Sequence, residues 1–413
     1  MSNPASDSSS LAAQLNQIYA PEKAYADLQG IQKHSNRPSL LYEPREAADL
    51  DDQDILGQAI PAFQSLACQP DSPYPQLRPL QDLLFSPTLL RQPRQFLSAV
   101  QNAAISAGVR TFFKVTVGSF LKSEAVLRCT EWLIRGLRVH ILDVAAMLDH
   151  LCCYHDDPVF VRLLQLLDLS YASVGGSQHC WQFLLGAQQT ATAPTRSMLV
   201  KRCREDVSLV CVLLGNLIPV VGRSTSLDSI ASSSTDNAHC IAICSEILLE
   251  YLDTMKAADL ASPRTILPIC TTILKNLSAI TQSTVSIDGC LALLMLLSRL
   301  ACKVQLSSEF LECCLKSIVA VQTISSPDNQ SKSLLLKHLV FTVLLLLECQ
   351  DSLNAIPSCC QPSLEQFISA ANTDSSVNVS MMLSSLPRAK AIIQTKTSDQ
   401  PFRTPKDSFT LQK

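Results

Sequence analysis

Three amphipathic stripes follow one another between Ser123 and Ser170, and they constrain this chain more than any other feature. Val126, Leu127, Thr130, Leu133, Ile134 and Leu137 recur at three- and four-residue steps, which lays one apolar face along a helix. Ser123 stands where its hydroxyl can accept from a free first-turn N–H, and Gly136 stands near the helix end. The spacing predicts a second helix over Ile141–Tyr154, with Val144, Ala145, Leu148, Leu151 and Cys152 inward. A third opens at Asp156-Asp157-Pro158, an acidic cap with proline at the first helical position, and continues through Phe160, Leu163, Leu164 and Leu167. Three such helices cannot hide their apolar faces alone. They need further helices beside them.

The rest of the chain supplies these. Helical patterns are read at Leu11–Ile18, Asp51–Ala67 (capped by Asp51), Leu80–Phe85 and Gln95–Ser106. Val109–Leu121 is mixed and could be strand-like, but a helix fits its neighbours. Later patterns cover Ser177–Gln189, Arg196–Ile218, His239–Met255, Arg264–Ile280, Asp288–Ala301, Glu309–Val321, Ser333–Cys349 and Ser363–Ala371, with a weaker one at Val377–Ile393. Pairs begin near Arg264, Glu309 and Pro357, a period of roughly 45 residues that falls in the HEAT/armadillo range. Apolar residues make up 47% of the 413, and there are only 11 glycines. The expected fold is therefore all-α, a HEAT/armadillo-like α-solenoid with an extended N-terminal arm. The arm and a docking segment take residues 1–50, and a first set of repeats takes 51–222. A Ser/Thr-rich loop at 223–237 leads to further repeats over 238–394 and a polar tail at 395–413.

Within the arm, Pro44 disfavours a helical conformation at the residue before it. Leu40, Leu41 and Tyr42 then read as an extended hook on the first repeats.

Several function classes find little support. Net charge is −3, whereas a chain that grips nucleic acid through its phosphates usually carries a basic excess. Lys201, Arg202 and Arg204 cluster, but Glu205 and Asp206 follow at once, which suits a solvated helix face. The start MSNPASDSSS has no apolar core of a signal peptide, and the 17 cysteines read as reduced, buried thiols. The most apolar run, Leu339–Leu347, is too short to span a membrane. His150, Cys152, Cys153 and His155, and separately His239, Cys240 and Cys244, are zinc-friendly types, yet no C-x-x-C occurs and core packing is the better reading. Nothing marks a phosphate loop or a nucleophile elbow, and the cysteines sit in apolar stripes, so no catalytic, cofactor or metal residue is assigned. Trp132 and Trp181 read as core rather than base-stacking platforms.

Three segments carry a family resemblance. The first is Glu131-Trp132-Leu133-Ile134-Arg135 with Val139-His140, Tyr154-His155, Val159-Phe160-Val161-Arg162 and Leu164-Gln165-Leu166-Leu167. The second is Ser39-Leu40-Leu41-Tyr42-Glu43-Pro44-Arg45-Glu46-Ala47-Ala48, and the third is Ser10-Leu11-Ala12-Ala13-Gln14-Leu15. In order and spacing they resemble the N-terminal part of the family of HEAT repeat-containing protein 1 and U3 small nucleolar RNA-associated protein 10. The resemblance covers Ser8–Ser170 and marks Leu40, Leu41, Tyr42, Pro44, Glu46, Trp132, His155, Phe160 and Arg162 as motif or docking residues. It implies a non-enzymatic nucleolar scaffold of the small-subunit processome, among β-propeller and helical proteins, U3 small nucleolar RNA and pre-ribosomal RNA. Members of that family are longer, so it also implies a fragment. From the residues alone, a cytoplasmic adaptor for protein cargo stays open. Such an adaptor would carry a ladder of asparagine and tryptophan along one groove.

Overall fold

The computed structural model describes residues 37–70, 72–170, 181–218, 227–282, 286–321, 329–353, 360 and 378–394. The segments read as Leu11–Ile18 and Ser363–Ala371, the pair start at Pro357 and the 395–413 tail lie outside these. Helices of eight or more residues are numbered in chain order. They are α1 Asp52–Ala67, α2 Ala99–Thr116, α3 Glu124–Arg135, α4 Val144–Leu151, α5 Pro158–Leu166, α6 Arg196–Glu205 and α7 Val207–Asn216. They continue with α8 Leu227–Thr254, α9 Pro263–Gln282, α10 Ile287–Ala301, α11 Ser308–Val321, α12 Asn329–Cys349 and α13 Pro387–Gln394.

The helices stack in two rows. α2, α4, α7, α9 and α11 pack one against the next, and α6, α8, α10, α12 and α13 do the same beside them. The chain alternates between rows, so α7/α8, α9/α10 and α11/α12 are successive pairs. Pro263 and Ser308 open two of these pairs 45 residues apart. At the front, α1 lies along α3. This is an all-α solenoid of HEAT-like helix pairs, led in by a non-helical segment at residues 37–43 that bends at Leu40, Leu41 and Tyr42, where an extended hook was expected. One continuous apolar core runs between the rows, from Leu40 to Ile392.

Polar side chains join each pair to the next at the helix ends. In one row, Asn216 Nδ2 donates to the Asp149 carbonyl (2.7 Å), and Asn276 Nδ2 donates to the Leu214 carbonyl (2.7 Å). In the other, Lys303 donates to the carbonyls of Leu252 and Asp253 at the end of α8. Gln350 Nε2 donates to Ala301 (2.6 Å) and Val304 (2.9 Å) past the end of α10, and Arg388 to Glu348 on α12 (3.3 Å). The last carbonyls of a helix have no partner within it, so these donors satisfy groups that burial would otherwise penalise. Ion pairs Arg196–Glu246, Arg196–Glu250 and Arg299–Asp253 also cross between neighbours.

Several boundaries differ from those read in the sequence. The Ser/Thr-rich segment expected to be a loop through residue 237 is helical from Leu227. Serine and threonine only weakly disfavour a helix, and α8 is held from several sides by α6, α7, α10 and the turn Val117–Ser119. Arg196–Ile218 is two helices, because Asp206 adopts an extended backbone and its carboxylate accepts from Ser208 N (3.0 Å). Ile141–Tyr154 divides into a turn of helix at Val139–Leu142, α4, and a 3-10 turn at Cys152–Tyr154. Val109–Leu121 is not a strand; its first part completes α2. Val377–Ile393 is a short helix Val379–Ser384 followed by α13.

Gly289 shows how closely α10 approaches the end of α7. A Cβ there would lie 2.3 Å from the Leu217 carbonyl oxygen, while one at Gly57 would meet nothing within 4 Å. Both residues sit inside helices, where alanine is ordinarily favoured by about 1 kcal/mol. Urea unfolding should therefore give opposite signs. Gly57→Ala stabilises by up to about 1 kcal/mol, whereas Gly289→Ala destabilises by about 1–3 kcal/mol through forced displacement of backbone. Equal signs would contradict this close approach.

His140 is buried, and desolvation pushes its pKa down to about 4 from the ordinary 6.5. Between those two values the unfolded chain binds a proton that the native chain does not. Stability therefore falls as pH drops from 6.5 towards 4, by about 3 kcal/mol in total, and is unaffected by this group above 6.5. Buried His150 shifts in the same direction. His140→Gln should flatten the dependence of the urea midpoint between pH 6.5 and 5. An unchanged slope would remove His140 as its cause.

Candidate docking site at the N-terminal end

The motif segment at residues 39–48 bends at Leu40, Leu41 and Tyr42 and turns helical at Pro44, with Glu43 in the extended region before it. Its backbone amides are read by one side chain. Glu131 Oε2, on α3, accepts from Leu40 N (2.8 Å) and Leu41 N (3.1 Å). Leu40 is buried, Leu41 and Tyr42 are half-buried, and Pro44 and Glu46 are exposed. Ser39 Oγ accepts from Tyr42 N (2.8 Å), which folds the hook back on itself. The Tyr42 hydroxyl donates to Gln58 Oε1 on α1 (2.5 Å), and Arg128 reaches the same oxygen.

The acid and its base are both dry. The side chains of Glu131 and Arg135 are each 1% exposed, one helical turn apart, with 3.9 Å between Oε1 and Nη1. Arg135 Nη2 also donates to the Leu50 carbonyl (2.6 Å), which ties down the far end of the segment. Arg37 shares that carbonyl and lies 3.6 Å from Asp52. Outside the hook, an open cleft of about 500 Å3 runs between α1 and α3, floored by Gly57, Pro61, Ala62 and Ala125 and edged by Glu124 and Arg128.

The other motif residues do not join this cluster. Trp132 points the opposite way into the core, and its Nε1 donates to the Leu84 carbonyl (2.7 Å). His155 is buried, with Nδ1 donating to the Pro194 carbonyl (2.8 Å). Phe160 is core, and Arg162 is exposed on α5. The residues that hold the hook, Glu131, Arg135, Gln58 and Arg128, were not singled out as site residues from the sequence. The available signal was an acid placed between Thr130 and Trp132 on an otherwise apolar face.

The thiol and imidazole groups also find packing roles. Cys153, Cys240 and Cys244 exchange hydrogen bonds in the core; those from Cys153 and Cys244 hold the Cys240 thiol down, the Cys240 contact and then burial raise Cys244, and burial pushes the Cys152 and Cys153 thiols well up. The same cause pushes Cys203 up to about 12. A nucleophile needs an accessible thiolate, and all five of these thiols are buried. His150 Nδ1 donates to Asn216 Oδ1 (3.0 Å), and His239 stacks on Tyr154 at 5.4 Å. Among the described residues, no group of three or more His, Cys, Asp or Glu side chains is placed to hold a metal ion. No helix among them is long and apolar enough to cross a membrane. The basic cluster is neutralised in part: Arg202 pairs with Glu205 and Asp206 and lies over the Phe183 ring, while Arg204 donates to Thr254.

Stacked helix pairs with an edge-docked arm define a helical-repeat protein. No family model matches the chain. It is similar to a U3 small nucleolar RNA-associated protein 10 of Neurospora crassa, with 31% identity over 205 residues. That match covers 50% of this chain and 11% of the relative. It is also similar to the Homo sapiens HEAT repeat-containing protein 1, 23% identical over 214 residues, 51% of this chain and 9% of that one. A protein of Arabidopsis thaliana is 30% identical over 199 residues, 48% of this chain and 8% of its own length. The matched part of the chain thus spans about a tenth of the length of these relatives.

Proposed function

We propose that the chain is a non-enzymatic scaffold segment that serves ribosome biogenesis within the nucleolar small-subunit processome. The observation that carries this reading is the similarity, over half the chain, to proteins named for association with U3 small nucleolar RNA. The fold agrees with the role. Each pair touches its neighbours, and a stacked array offers a long surface for partners rather than an enclosed site. In this reading the solenoid positions β-propeller and helical subunits around U3 small nucleolar RNA and the pre-ribosomal RNA, and so supports transcription and processing toward small-subunit rRNA. No cofactor or membrane takes part. Net charge of −3 suits RNA contact that is local or delegated to partners.

The second reading, a cytoplasmic adaptor for protein cargo, needs free asparagine amides along a groove. Asn216 and Asn276 instead donate to backbone carbonyls inside the stack, which favours the first. Purification of the tagged chain from its own cells after RNA crosslinking tests both. Processome subunits with pre-ribosomal RNA fragments support the scaffold. Cytoplasmic partners without that RNA would transfer the role to the adaptor.

A further inference from the structure

Cys302 caps the end of α10 and Cys349 ends α12, one helix pair further on. Their sulfurs lie 3.8 Å apart. Cys302 is exposed and Cys349 half-buried. The two helix ends are held in register by hydrogen bonds on either side of the thiols. Ser298 Oγ donates to Thr342 Oγ1 (3.2 Å), Gln350 Nε2 to the Ala301 carbonyl (2.6 Å), and Gln305 Nε2 to the Cys349 carbonyl (3.0 Å). A disulfide needs sulfurs at about 2.05 Å.

We propose that Cys302 and Cys349 form an oxidative modification site at which hydrogen peroxide converts the thiol pair into a disulfide linking consecutive helix pairs. The exposed Cys302 thiolate attacks the peroxide, the O–O bond breaks, and a sulfenic acid and water result. Cys349 sulfur then attacks the Cys302 sulfur. The S–S bond forms, the S–O bond breaks, and the departing hydroxide takes the Cys349 proton as a second water. Two thiols are oxidised by two electrons and one peroxide is reduced. Burial beside Cys302 pushes the Cys349 thiol up to about 11, which disfavours it as the first nucleophile, and its place beside the exposed Cys302 makes it the partner thiol. The core thiols are shielded from the reagent. Cys313 on α11 is exposed and serves as the accessibility reference.

The test uses the full chain, folded and reduced, exposed to a small excess of hydrogen peroxide, alkylated, and digested without reductant for mass spectrometry. The expected result is a linked peptide joining Cys302 to Cys349 as the main disulfide, with Cys313 largely alkylated. In guanidinium, where Cys302 can meet any of the other cysteines of a 17-cysteine chain, that link should fall to a minor species. Cys349→Ser should lose the link and leave Cys302 trapped by a sulfenic-acid probe. Cys302→Ser should leave Cys349 fully alkylated. Overoxidation of Cys302 in the folded chain with Cys349 still alkylated would overturn the proposal. So would an equal yield of the link in folded and unfolded chains.

Discussion

Trp132→Ala is expected to lower the stability of the front of the solenoid by about 3–5 kcal/mol, the range for removing a large aromatic from a core. Trp132 is 1% exposed, and its ring packs so closely on the following turn that a Cβ at Gly136 would lie 2.4 Å from it. Its Nε1 is also the partner of the Leu84 carbonyl, 48 residues away, so truncation opens a cavity and leaves that oxygen unpaired. Trp132→Phe separates the two effects. It keeps much of the volume and should cost about 1–3 kcal/mol, the penalty for a buried unpaired acceptor. Because each pair touches only its neighbours, amide exchange should accelerate in α1 and α3 and stay unchanged in α11 and α12. A loss below about 1 kcal/mol for the alanine variant would contradict the packing described.

Glu131→Ala should release the N-terminal hook. The carboxylate accepts two backbone N–H groups from a segment 90 residues distant and faces Arg135 in a site with almost no water. Arg135 keeps Asp52 (4.0 Å) and the Leu50 carbonyl, so the loss is chiefly that of two hydrogen bonds to a charged group, at about 1.5–3 kcal/mol each. Glu131→Gln keeps an oxygen for the amides and loses only the charge. It should fall between wild type and alanine, because hydrogen bonds to charged groups contribute about 1.5–3 kcal/mol. Limited proteolysis reads the hook directly, with cleavage within residues 37–50 appearing in the alanine variant before any cut in α9–α12. Undiminished protection there would mean that Glu131 does not hold the segment.

What could be read from the sequence was what is decided locally. Asp51, Ser123 and Asp157 cap the helices they stand before, because a cap needs only its own next two or three residues. The stripes of α9, α10 and α11 lie within a residue or two of their expected spans for the same reason. Asp206 escaped because a local cap was hidden in a charge cluster: it follows Arg202, Arg204 and Glu205, and reads as surface until it is seen to end one helix and start the next. Gly136 stands at the end of α3 as its place in the sequence suggests, though what constrains it there is the Trp132 ring and not a positive φ, its own φ being −79°. Glu131 stood out only as an acid on an apolar face, and its partners could not be named. Its partners, Leu40 and Leu41, are brought to it only when α1 packs on α3, and no spacing rule reaches across that distance. The same holds for His155 and Pro194, which meet from 39 residues apart in the sequence.

The carbonyls at the end of α8, past the end of α10 and at Glu348 on α12 are completed by Lys303, Gln350 and Arg388, each from the pair that follows. This row therefore leans on its successors at these three ends, while the Cys349 carbonyl at the end of α12 is completed by Gln305 of the pair before. A shortened chain that stops just after a helix leaves that end frayed, while one that extends through the next donor is closed. Boundaries chosen by helix prediction would fall on the wrong side of this rule.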